Sequence, residues 1–368
     1  MLDADFECLD QIRSMSLETR CLRSFKRYFR ILEDRRRSQF QVSKMLETNY
    51  NEDDSDKTLW QLHKALTEEY VKSLVKVDNG NEVQNLKDQK KPLKSYFDLK
   101  IALAHRTMKG CKFCHRTCGV DRTAGARGYC RCGDEIVVSS AFDHWGEEPE
   151  LVPSGTIFTC GCTMTCLHCQ NYSISQWMEN GTRLNAEELA RLVEGLHARG
   201  CRNANLVGGD PTPWLAVWLD TFRIVNANVP VVWNSNTYYS EETADLLAGF
   251  ADVYLLDFKY GPGDCSARIS NAPRYWDVCT RNHLKAKRHG ELIIRVLVLP
   301  GHLECCTKPI IEWITKNLGT DTRVNIMFQY RPEWRADEIP ELGRPLTGEE
   351  RKRAIELARE ARLENYIT

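Results

Sequence analysis

No stretch of this 368-residue chain approaches the roughly 18 consecutive apolar residues that a membrane-spanning helix requires. The amino-terminal MLDADFECLD lacks the basic segment and apolar run of a secretory leader, so a cytoplasmic chain without a membrane partner is expected. Charge of one sign is missing too, because 50 Lys and Arg face 51 Asp and Glu. That balance excludes a globally basic nucleic-acid binder and an acidic solvating tail, and leaves partners to be read from local features. No internal repeat is evident.

Cysteine, by contrast, is abundant at 16 residues. In a reducing compartment a disulfide framework is not expected, and metal binding is the better explanation. Nine of the 16 fall between Cys111 and Cys169 in two tight groups. Cys8, Cys21, Cys201, Cys265, Cys279, Cys305 and Cys306 lie elsewhere and are read as core thiols.

Residues 16–77 are charged and helical in pattern, with narrow apolar stripes in SLETRCLRSFKRYFRILEDRRRSQF and KTLWQLHKALTEEYVKSLVKV. The stretch 78–94 has almost no apolar content and reads as an exposed connection to the helix SYFDLKIALAHRTMKG. From residue 155 the texture changes to short apolar runs separated by amphipathic helices. Strands are predicted at GTIFTCG, NANLVGGD, VPVVWNSN, ADVYLLDFK, ELIIRVLVLP and TRVNIMFQY. Helix starts are marked by Asn185 with Glu188 and by Thr347 with Glu350, each a capping-box pair. Alternating strands and helices imply parallel pairing, and six units suit an incomplete α/β barrel with its function at the carboxyl ends of the strands. The expected division is a helical region over 1–104, a cysteine-rich lobe over 105–150, the partial barrel over 151–335 and a carboxyl-terminal helix over 336–368.

Just past the first barrel strand, Cys162, Cys166 and Cys169 form a C-x3-C-x2-C loop. Three thiolates are one short of the usual complement of a cubane iron-sulfur cluster, so one iron would be open to another ligand. A structural zinc site is the plainer alternative, with Cys160 or His168 as a fourth ligand. The triplet, with His168 immediately before Cys169, resembles the cluster motif of the radical S-adenosylmethionine (SAM) superfamily, and within it the pyruvate formate-lyase activating enzymes and their relatives. The resemblance implies an incomplete (β/α)6 barrel and a [4Fe-4S] cluster that reductively cleaves bound SAM to a 5′-deoxyadenosyl radical.

Further matches follow at later strand ends, and the resemblance implies a role for each. Gly208-Gly209-Asp210 resembles a GGE motif whose backbone approaches the methionine amino group, with Asp in place of Glu. Asn234-Ser235-Asn236 corresponds to a polar segment near the ribose and methionine. Asp257 and Lys259, two residues apart on one strand, share a face that should be the interior of a barrel otherwise filled with Leu, Val and Ile. They resemble SAM-contacting groups, and Arg295 matches an arginine that helps to hold the SAM carboxylate. Gln329, Tyr330 and Arg331 occupy a comparable position on the sixth strand.

Upstream, Cys111, Cys114, Cys118 and Cys130 have a C-x2-C-x3-C-x11-C spacing, with Cys132 close behind. Four thiolates suit a second metal site, either zinc or a [4Fe-4S] cluster, and are expected to meet at a tetrahedral, metal-sized point. Between Arg20 and Lys44 there are nine Lys or Arg residues, interleaved with Phe25, Tyr28, Phe29 and Phe40. Such a stripe could meet RNA phosphates or an acidic partner, but Glu33 and Asp34 interrupt the run, so a solvated helical face on a docking appendage is expected.

The leading reading is an anaerobic radical SAM enzyme that abstracts hydrogen from a protein or peptide, as glycyl-radical activases do. It would take electrons from a donor such as flavodoxin or ferredoxin. The alternatives are radical modification of a small molecule, tRNA or maturing cofactor, and a non-catalytic iron-sulfur or zinc protein serving electron transfer or assembly.

Overall fold

The computed structural model describes residues 24–79 and 91–368. One nine-stranded sheet organises it, formed by β1 (Ile136–His144), β2 (Ser154–Thr159), β3 (Thr182–Leu184), β4 (Ala204–Gly208), β5 (Val231–Ser235), β6 (Val253–Asp257), β7 (Glu291–Leu297), β8 (Arg323–Met327) and β9 (Tyr366–Ile367). Their spatial order is β3-β1-β2-β4-β5-β6-β7-β8-β9. From β2 through β9 every neighbouring pair is parallel, whereas β1 runs antiparallel to both β2 and β3. The sheet closes no ring, since β3 and β9 remain its edges. All six predicted strands are present, and the incomplete α/β barrel is the fold. The stretch 105–150 contributes β1 to this sheet.

The crossover helices form as their sequences dictate. Asn185 accepts the N–H of Glu188 while Glu188 returns the bond, and Thr347 with Glu350 does the same at helix Gly348–Glu360. Helix Tyr96–Lys109 starts with a third such box, Ser95 with Asp98. Strand faces are buried on both sides, as β5 with every residue buried illustrates, because helices cover the outside and the barrel interior the other face.

The base of the barrel is stoppered by the short helix Lys26–Leu32. Phe25 and Tyr28 are buried against Leu151, Val232, Val253, Leu255 and Ile293 from the strands. Glu291, the first residue of β7, accepts the N–H groups of Arg27 and Tyr28, both at 2.8 Å. The Arg27 guanidinium meets Asp252 at 2.8 Å and Asp78 at 3.1 Å, and Arg36 meets Asp78 at 3.3 Å. These arginines are therefore not a solvated face. They are half-buried ties that hold the amino-terminal segment to the barrel, and Arg20 and Arg23 lie outside the described residues.

The outlying cysteines divide as well. Cys201, Cys279 and Cys306 are buried as expected, but Cys265 is half-buried and Cys305 exposed, so the last two are not core thiols. Cys8 and Cys21 lie outside the described residues.

Candidate active site

Strand β2 ends in a loop that carries the three cysteines and is fixed from several sides. The N–H groups of Thr165 and Leu167 donate to the carbonyls of Ser270 and Ile269, and Arg335 N–H donates to Leu167. At the adjacent strand, Gly208 has φ of +136°, and a Cβ there would lie 2.1 Å from the Thr159 carbonyl oxygen. A Cβ on Gly209 would lie 2.1 Å from the carbonyl oxygen of Gly161. The two glycines thus let the end of β4 press against the backbone leading into the cysteine loop.

A cavity of about 220 Å³ opens at the carboxyl ends of the strands. Cys162, Cys166 and Cys169 line it on one side. Gly208 and Gly209 from β4, with Asn234, Ser235 and Asn236 from β5, line a second side. Asp257, Lys259 and Arg295 from β6 and β7 line the rest, with Gln329 and Tyr330 past β8. A larger cleft of about 680 Å³ lies at the barrel base beside Phe29 and Asn228, where its lining has a single thiol, Cys201.

Two of the three thiols have polar partners. Cys162 receives the Met164 N–H at 3.4 Å and the Asn236 side-chain amide at 3.5 Å. Cys169 lies 3.2 Å from the Ser175 hydroxyl. Burial, reinforced by Cys169, pushes the Cys166 thiol up to about 12 against the opposing influence of Lys259. Burial also drives Cys162 well above its ordinary value, with Asp210 and Cys166 adding to the effect. Without metal these groups are thiols, so loading the loop must release protons.

The three sulfurs are not clustered as a single ion would require. Among the described residues, the one set of three or more ligand atoms within 4.8 Å of one another is a different one, Cys265, Cys305 and Cys306. A tetrahedral zinc site, with Zn–S of about 2.3 Å, sets its sulfurs about 3.8 Å apart. Cys162, Cys166 and Cys169 do not all close to that spacing. His168 Nε2 meets the Tyr260 hydroxyl at 3.0 Å, and the Cys160 sulfur lies 3.8 Å from the Glu179 carbonyl oxygen.

Lys259 and Asp257 form an ion pair in the cavity wall, so both point inward. Burial would lower the Lys259 ammonium, but Asp257, Cys166 and Cys169 outweigh it and raise its pKa. Asn234 presents a side-chain nitrogen that is buried with no hydrogen-bond partner among the described residues. An unpaired donor lining a cavity is costly unless a ligand or water meets it, which is an observation in favour of a polar ligand here.

Asp210 departs from expectation, because it does not line the cavity. It is buried beneath the β5 end, where it accepts the Ser235 hydroxyl at 2.9 Å, the Asn236 N–H at 2.8 Å and the Thr212 N–H at 2.9 Å. A carboxylate so engaged braces the polar segment rather than contacting a ligand itself.

Sequence reasoning missed the acidic plug GEEPE. Glu147 and Glu148, on the loop after β1, enter the barrel and grip Arg295, with Glu148 contacting Nε at 2.8 Å and Nη2 at 2.7 Å. Asn325 donates to Glu148 at 2.8 Å, and Glu150 pairs with buried Arg323 at 2.6 Å. The interior is therefore not wholly aliphatic. Arg295 keeps Nη1 as its remaining donor nitrogen, which leaves it one-handed toward a carboxylate in the cavity. The three closely spaced acidic residues between two strands were the available signal.

In the upstream group, Cys111, Cys114 and Cys130 are buried and Cys118 is exposed. The four sit within electrostatic reach of one another but do not close to single-ion spacing. Cys118 is turned toward Gly128, and Cys130 is engaged by the Cys132 thiol, which pulls it down to about 6.

Residues 156–314 match the radical SAM superfamily. Protein MJ0674 of Methanocaldococcus jannaschii is 42% identical over 345 residues, covering 92% of this chain and 98% of that protein. MJ0808 from the same organism is 24% identical over 250 residues, covering 62% and 73%. Among solved structures, Streptococcus suis SuiB bound to its precursor peptide SuiA has a TM-score of 0.40 at 14% identity, covering 56% of this chain. SuiB bound to S-adenosylmethionine gives 0.39 at 16%. The chain spans just under half of SuiB, 46% and 48% in the two structures. The chain belongs to the radical SAM superfamily. The cofactors of that family are a [4Fe-4S] cluster and SAM.

Proposed function

We propose that Cys162, Cys166 and Cys169 hold the [4Fe-4S] cluster and that SAM lies along Gly208, Gly209, Asn234, Ser235, Asp257, Lys259 and Arg295. The observation that carries this reading is the convergence of three thiols, an unpartnered Asn234 amide and a charged Asp257–Lys259 pair on one cavity. When bound, the reduced cluster supplies the electron that cleaves SAM to methionine and a 5′-deoxyadenosyl radical. The protein's own contribution is positional. Asn234 and Arg295 Nη1 offer donors to carboxylate or hydroxyl oxygens, Lys259 keeps positive charge beside the thiolates, and Asp210 acts behind Ser235.

The substrate in this reading is a protein or peptide, with hydrogen abstraction as in glycyl-radical activases. Support comes from an aromatic shelf beside the cavity-lining Asn171, where Tyr172 stacks on Trp334 at 6.0 Å and meets Trp177, itself 51% exposed. Such a shelf suits an extended chain better than a small solute. The enzyme would work in an anaerobic cytoplasm with a flavodoxin or ferredoxin donor, and Cys111, Cys114, Cys118 and Cys130 would hold a second zinc ion or cluster after local rearrangement. The division at 104, 150 and 335 belongs to the same proposal, with β1 shared across the second boundary.

Extracts of cells grown on α-deuterated glycine, separated into protein and small-molecule fractions, test the substrate class. Deuterium should pass from the protein fraction into 5′-deoxyadenosine. Transfer from the small-molecule fraction alone would overturn the protein reading.

A further inference from the structure

Cys265 begins the helix Cys265–Ser270, which follows β6, and Cys305 and Cys306 lie in the single turn Leu303–Thr307, which follows β7. Adjacent strands thus deliver three thiols to one place at the carboxyl end of the barrel. Their sulfurs lie within 4.8 Å of one another, with Cys265 to Cys305 at 3.9 Å and Cys305 to Cys306 at 3.8 Å. Gly261 makes the approach possible, since a Cβ there would lie 2.1 Å from the Cys305 carbonyl oxygen.

From this spacing we infer that Cys265, Cys305 and Cys306 bind one thiophilic d¹⁰ cation, zinc, at a site separate from Cys162, Cys166 and Cys169. The two measured edges match the roughly 3.8 Å expected for sulfurs sharing a single tetrahedral ion with Zn–S of about 2.3 Å. A cubane cluster is too wide for them. Three soft thiolates select zinc over harder divalent ions. Each thiol gives up its proton on coordination, and the exposed side at Cys305 leaves the fourth position to water or an incoming thiolate.

The position gives the ion a purpose. Helix Cys265–Ser270 ends at the Ile269 and Ser270 carbonyls that accept the N–H groups of Leu167 and Thr165. The buried Tyr260 hydroxyl links the two regions, meeting His168 Nε2 of the cysteine loop at 3.0 Å and the Ser270 hydroxyl at the end of helix Cys265–Ser270. An ion that fixes Cys265 to Cys305 and Cys306 therefore steadies the backbone that carries Cys166. This role is structural and does not depend on which substrate the enzyme attacks.

The test reads the thiol directly, on wild-type protein prepared anaerobically. Alkylation of Cys305 by iodoacetamide is followed by mass spectrometry with free zinc buffered at about ten times the dissociation constant, where about tenfold protection is expected. In parallel, Cys305→Ser, an exposed and conservative change, should contain one zinc per chain fewer than wild type while its iron content is unchanged. Alkylation indifferent to zinc, a zinc content equal to wild type, or a loss of iron in place of zinc would each overturn the inference. So would a Cys265–Cys305 disulfide in the anaerobic protein.

Discussion

The Asp210 carboxylate accepts the Ser235 hydroxyl at 2.9 Å from beneath the cavity floor, and the same oxygen accepts the Asn236 N–H at 2.8 Å. One buried oxygen thereby sets the polar end of β5, and Asn236 in turn reaches Cys162 at 3.5 Å. Asp210→Ala should lower SAM affinity at least about tenfold, the equivalent of one lost charge-assisted bond, with iron content retained. Asp210→Asn should recover part of it. Equilibrium SAM binding to the reconstituted variants checks this, and affinity unchanged in both would remove Asp210 from the account.

Arg295 is held inside the barrel by Glu147 and Glu148. Replacing it with Met leaves two carboxylates with diminished compensation in a buried place, a loss of about 3–5 kcal/mol. Urea unfolding of Arg295→Met should show that drop, and the triple change with Glu147→Gln and Glu148→Gln should regain a substantial part. A triple variant no more stable than the single one would show that the acids are not what Arg295 neutralises.

How much of this was legible beforehand follows from local rules. The six strands and the capping boxes at Asn185 and Thr347 rest on short-range pattern, and the cysteine triplet rests on spacing within eight residues. Asp257 and Lys259 were placed on one inward face by the two-residue period alone. Residues joined by long-range packing were not legible. The partners of Arg295 come from a loop 147 residues away, and Cys265 meets Cys305 only because β6 and β7 are neighbours. Asp210 failed to reach the cavity for a similar reason, since two donors from the end of β5, joined by the nearby Thr212 N–H, claim its carboxylate.

Lys44 provides a titration test of how the amino-terminal region docks. Its ammonium is buried, donates to the Val225 carbonyl at 2.7 Å and lies 4.7 Å from the Phe40 ring centre. Burial brings its pKa down from 10.5 to about 7. Between those values the unfolded chain holds the proton and the folded chain does not, so stability rises with pH, by at most about 1.4 kcal/mol per unit. It is lost as pH falls through about 7. Urea midpoints from pH 7 to 10 should climb in wild type relative to Lys44→Met, and parallel curves would contradict the assignment.

The most direct measurement is 5′-deoxyadenosine formed from SAM and dithionite by the anaerobically reconstituted protein and by Cys166→Ala. The account predicts turnover in the wild type, and in the variant loss of the barrel cluster with product at the level of the enzyme-free control. Equal product from both proteins, or none from a wild type carrying its full iron, would contradict the claim that Cys162, Cys166 and Cys169 hold the catalytic cluster.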